Sequence, residues 1–100
     1  MGWAAFYIER LKQGETVEFR PRGHSMSGKI ESGQLCKVEP VIDISTLAAG
    51  GIVLCKVRGR EYIHLIKAVR GSQYQIGNNR GGINGWITAN AIFGRCTEVS

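Results

Sequence analysis

The stretch IVLCKVRGREYIHLIKAV, residues 52–69, holds two apolar, β-branched runs on either side of Gly59 and Arg60. Runs of this length and composition read as strands, and a two-residue break containing glycine reads as the turn of a β-hairpin. The first strand covers Ile52–Arg58, with Val53, Cys55 and Val57 in phase on one face; the second covers Glu61–Val69 and carries His64 among isoleucine and leucine.

Outward from this hairpin, further short strands are predicted at Glu15–Arg20, Gln34–Val41, Ser72–Ile76, Trp86–Thr88 and Ala91–Val99. Val17 and Phe19 share a face of the first of these, and Cys36 and Val38 share a face of the second. Pro21 and Gly23 stop the first strand, and Ser25–Glu31 reads as a turn or a short helical turn closed by Ser32-Gly33. The stretch Ile42–Gly51 reads as a loop: Asp43 and Ser45 are turn formers, and Ala48-Ala49-Gly50-Gly51 has no side chain large enough to anchor it. Residues Gly77–Gly85, GNNRGGING, form a polar glycine-rich loop. At the start of the chain, Trp3–Lys12 reads as a short amphipathic helix, with Trp3, Phe6, Tyr7 and Leu11 at spacings of three and four and Gly14 at its C-cap. About seven short strands and one helix predict a mainly β (α+β) fold. The expected organisation is one domain over 1–100, with a helix in 1–14, a β core in 15–100 and no internal repeat.

Composition agrees with one packed domain: 100 residues, 43% hydrophobic, 21% charged, and 14 glycines against 2 prolines. No apolar run approaches the roughly 18 residues that cross a bilayer, so no membrane association is expected. Glu9 and Arg10 interrupt the apolar start, which excludes a secretory signal on this reading. Three cysteines without a CxxC pair point to reduced thiols and a cytoplasmic setting, with Cys36 and Cys55 as small core residues. No ligand spacing suggests a metal, and no cofactor is implied. The formal charge of +5 comes from arginines and lysines scattered along the chain. Such a surface attracts polyanions weakly without specifying nucleic acid.

The candidate for chemistry is Ser25, in Gly23-His24-Ser25-Met26 at the end of a strand. A serine hydroxyl needs a base to take its proton and amide donors to hold the oxyanion that follows. Glycine before it allows a sharp turn and leaves room for a scissile bond.

The segments GHSMSGKIESGQLCKVEP, GGIVLCKVRGREYIHLIKAV, YQIGNNRGGINGWI and IFGRCTEV follow one another in this order. In order and spacing they resemble the serine peptidases that include LexA-type repressors, UmuD and type I signal peptidases, over about residues 17–99. The typical family order is a G-x-S-M segment, a G-D-x-v-x-V strand, a G-D-I-V-x-x strand, an x-H-R or x-K-R strand, a G-D-N-type loop and a closing strand. The resemblance implies a β-clip domain without cofactor, acting on a peptide or protein substrate. It assigns Ser25 as nucleophile, the backbone amides of His24 and Ser25 as oxyanion donors, and His64 as general base. Histidine suits that position because its ordinary pKa leaves it mostly neutral at pH 7.

Lys67 is the competing base, but it stands three residues beyond His64, so on a regular strand the two point to opposite faces. The chain departs from the family pattern at Gly28, where proline is common, and at Asn78, which stands for the aspartate of the G-D-N loop. Asn84 lies near where some members place a histidine-orienting aspartate. Asn78, Asn79, Arg80 and Asn84 are accordingly supporting-loop candidates, and Arg80 is also a candidate to meet an anion. These departures define the alternative: an inactive relative serving as a binding module or small phage- or plasmid-type regulator, engaging a protein or an anionic ligand such as nucleic acid or a nucleotide. Repressor-type relatives pair through closing strands, so a homodimer built on Trp86, Ile87, Ile92 and Phe93 is a further expectation. Those four side chains serve equally well as core.

Overall fold

A computed structural model describes residues 2–100. In chain order it contains α1 (Ala5–Lys12), β1 (Val17–Phe19), β2 (Cys36–Pro40), β3 (Ile52–Val57), β4 (Arg60–Arg70), β5 (Gln73–Gly77), β6 (Ile83–Thr88) and β7 (Ile92–Val99). The strands form one seven-stranded sheet in the order β1-β2-β7-β3-β4-β5-β6. Every pairing is antiparallel. The chain is thus mainly β with one short helix, and no described helix is long and apolar enough to cross a membrane.

The β3–β4 hairpin keeps register through every pair from Ile52↔Leu65 to Val57↔Arg60. Its turn is Arg58-Gly59, one residue earlier than the sequence predicts. Arg58 (φ +52°) and Gly59 (φ +79°) both take left-handed backbone, as a type I′ turn requires. Matching the right-handed twist of the strands outweighs the cost of a left-handed arginine.

β3 is buried on both faces, which explains its nearly unbroken apolar run. Leu54 joins a cluster with Ile8, Leu11, Phe19, Met26 and Leu65, whereas Val53, Cys55 and Val57 join a second with Leu47, Tyr74 and Ile76. Cys36 and Cys55 are fully buried, as expected of small core residues. Desolvation pushes the Cys55 thiol up to about 12, which makes it inert. Leu47 anchors the Ile42–Gly51 loop that the sequence leaves unanchored: a 3-10 turn at Ile44–Thr46, capped by Asp43 through Ser45 N–H (2.9 Å), sets that side chain into the second cluster.

α1 ends as Gly14 predicts. Gly14 N–H donates to Leu11 O and Glu15 N–H to Arg10 O, both at 3.0 Å, with Gly14 at φ +85°; this is the Schellman pattern. The face it buries differs from the expected stripe. Ala4, Ile8 and Leu11 point to the core, while Trp3 and Phe6 are 51% and 64% exposed.

Two slips in register set the site. Between β4 and β5, Ile66 pairs with Ile76 but Ala68 with Gln75, leaving Lys67 as the extra residue. Between β5 and β6, Ile76 pairs with Gly85 but Gly77 with Ile83, leaving Asn84 extra. Such bulges bend a strand and turn one side chain to a new direction.

Candidate active site

Ser25 sits on the turn that follows β1. Met26 and Ile30, 4% and 3% exposed, fasten this turn to the core, and Ile30 N–H donates to Met26 O at 2.8 Å. The Gly77–Gly85 segment fastens it from the other side. Asn79 N–H donates to Ser25 O (2.8 Å) and Asn79 Nδ2 to Ser27 O (2.7 Å). Asn78 shapes that loop, its Oδ1 accepting the amides of Arg80 and Gly82, each at 2.8 Å, and it lines the same cleft as Ser25 and His64. Gly28 takes φ +94°, a conformation closed to proline.

His64 stands in the middle of β4 between Ile63 and Leu65, both core residues. Its Nε2 lies 3.3 Å from Ser25 Oγ, and its Nδ1 lies 2.7 Å from Asn84 Oδ1. The amide oxygen of Asn84 can only accept, so Nδ1 carries the proton and donates it there. That tautomer leaves Nε2 as an acceptor facing the serine hydroxyl. Tyr62 lies along the imidazole at 4.8 Å between ring centroids. Burial pushes the His64 pKa below its ordinary value, and the hydrogen bond it donates to Asn84 opposes this only in part. The ring is consequently neutral at pH 7.

Lys67 does not take part. Its Nζ donates to Asn78 O at 3.0 Å, the position into which its bulge turns it. Arg80 is exposed. Among the described residues, the amides of His24 and Ser25 donate to no acceptor. Gly23 before them takes φ +103° with nothing within 4 Å of a Cβ, which gives the open approach that glycine there predicts.

A cleft of about 670 Å³ opens onto Ser25 and His64, with Trp3, Phe19, Arg22 and Glu61 among the residues lining it. That volume lies within the range of ligand-binding clefts, roughly 300–1,000 Å³. Sequence reading passed over Glu61 and Trp3. Their signal was weak: one acid at the head of an apolar strand, and one indole that looked like helix core. Ile92 is buried in the second cluster, whereas Trp86 is 38% exposed with Arg70 over its ring at 5.2 Å. No family model, curated protein or solved structure matches this chain.

Proposed function

We propose that the chain is a cytoplasmic serine peptidase of the LexA/signal peptidase-like β-clip type, cleaving a peptide or protein through Ser25 and His64. The observation that carries this reading is the run Ser25 Oγ, His64 Nε2, His64 Nδ1, Asn84 Oδ1, at 3.3 and 2.7 Å. Serine or cysteine, histidine and a fixed acceptor recur in this geometry on unrelated folds, with asparagine as the third member in some. His64 takes the hydroxyl proton as Ser25 Oγ adds to the scissile carbonyl. The carbonyl oxygen gains negative charge and turns to the amides of His24 and Ser25. The proton then passes from Nε2 to the leaving amine as the C–N bond breaks. Water, deprotonated by the same nitrogen, releases the acyl group from Ser25. No cofactor enters.

The test is active-site labelling with a peptidyl phosphonate, read by intact mass. Wild type is expected to gain one adduct, Ser25→Ala none, and His64→Ala to react about 10²–10⁴-fold more slowly. A wild type that stays unlabelled and cleaves no member of a peptide library overturns the reading.

A second reading, a binding module for an anionic ligand, is favoured by one observation: Arg20 and Arg22 line the same cleft and are exposed. It predicts binding that Ser25→Ala leaves unchanged and that salt weakens steeply.

A further inference from the structure

Among the described residues only two polar or charged side chains are buried, Glu61 at 9% exposure and His64 at 7%. They share β4 and line one cleft, yet the chemistry above uses His64 alone. A buried carboxylate is costly unless it is paired or well hydrogen-bonded. That of Glu61 accepts a single hydrogen bond from the described residues, Ala4 N–H to Oε1 at 2.7 Å, although a carboxylate offers about four acceptor sites. Lys56 stands opposite in register but forms no ion pair with it; among the described residues the ion pair present is Arg10–Glu15.

Trp3 occupies the same corner. Its Nε1–H donates to Glu61 O at 3.2 Å, which fixes the ring, and the ring stands edge-on to Phe19 at 5.5 Å. Phe19 in turn stacks on Tyr7 at 4.7 Å. Trp3 stays about half exposed although its ring is held. Gly2 packs closely against one side of the Glu61 carboxylate, where a Cβ would run into it. A held indole beside a carboxylate that accepts one hydrogen bond from the described residues is the chemistry that holds an organic cation, through cation–π attraction and a charge-assisted hydrogen bond.

We propose that this corner receives the lysine or arginine side chain of the peptide, so that Glu61 and Trp3 determine specificity. The proposal rests on the peptidase reading for the identity of its ligand. Arg20 and Arg22 share the cleft, but their exposure lets solvent and salt screen their repulsion.

The test uses Ser25→Ala, which cannot turn over, and acetylated octapeptide amides of alanine and serine with one lysine. The same peptides carry arginine, norleucine or glutamate in its place. The indole ¹⁵N–¹H resonance of Trp3 reports binding. Lysine and arginine peptides are expected to move that resonance and to bind about tenfold more tightly than norleucine peptides. Glu61→Gln, which still accepts the Ala4 amide, is expected to bring the two to near equality, and Trp3→Ala to weaken lysine binding severalfold. Equal affinities, a preference for glutamate, a lysine preference that persists in Glu61→Gln, or no binding each overturns it. Phosphonate labelling of wild type separates the two readings. Labelling without cation preference removes this corner's role and leaves the peptidase, whereas cation preference without labelling does the reverse.

Discussion

The β3–β4 hairpin and the β5–β6 hairpin are both antiparallel ribbons, yet they are built to different standards. The first keeps its register along its whole length, is buried on both sides at β3, and turns through two left-handed residues. The second is entered and crossed by register slips at Lys67 and Asn84, lies at the edge of the sheet, and is joined through the polar Asn78–Gly82 loop. The regular ribbon carries His64 on a rigid strand. The irregular one supplies what has to be aimed, Asn84 onto the imidazole and Asn79 onto the Ser25 turn. Regularity gives stability here, and its local interruption gives orientation.

That division can be broken from either side. The largest stability effect is expected in the regular ribbon: Leu54→Ala empties a fully buried position and is expected to cost about 2–5 kcal/mol, read from urea unfolding. Asn84→Ala is expected to do the opposite, with a small change in stability and a labelling rate at Ser25 lowered about 10–100-fold, by analogy with other partners that orient a histidine. A loss of several kcal/mol in Asn84→Ala would erase the contrast.

The pH profile sharpens it. The His64 pKa is depressed by burial, so Nε2 stays unprotonated at pH 7 and the labelling rate is expected to fall only below the ordinary histidine pKa, about 6.5. Asn84→Asp places a carboxylate on Nδ1, which favours the imidazolium and is expected to move that acid limb to higher pH. A limb unmoved by the aspartate would separate Asn84 from the imidazole in solution. The smallest effect is at the turn: Arg58→Asn suits left-handed backbone better and is expected to raise the unfolding free energy by about 0.5–1 kcal/mol without altering labelling.

The same contrast explains what the sequence made legible. Alternation and β-branching announced β3 and β4, and a left-handed Gly14 announced the end of α1, because those signals are local. Ser25, His64 and Asn84 could be named from motif order, but not the way Asn84 reaches the ring. A one-residue slip leaves little trace in alternation when glycines stand at it, Gly85 after Asn84 and Gly77 opposite Ile83. Leu47 was passed over because its partners, Val53 and Ile76 among them, belong to distant strands. Trp3 was misplaced for a related reason. Its spacing suits a helix face, but Ala4, Ile8 and Leu11 claimed the core, leaving the indole to the cleft.

Asn84 owes its aim to a count, since one residue more on β6 than on β5 turns it inward. Removing Ile83 would mend the ladder and restore even pleating. The amide would then swing away from the imidazole even though Ser25, His64 and Asn84 were still encoded. Length at this point is as much a part of the machinery as chemistry, and a deletion would damage it while leaving the protein's outward order undisturbed.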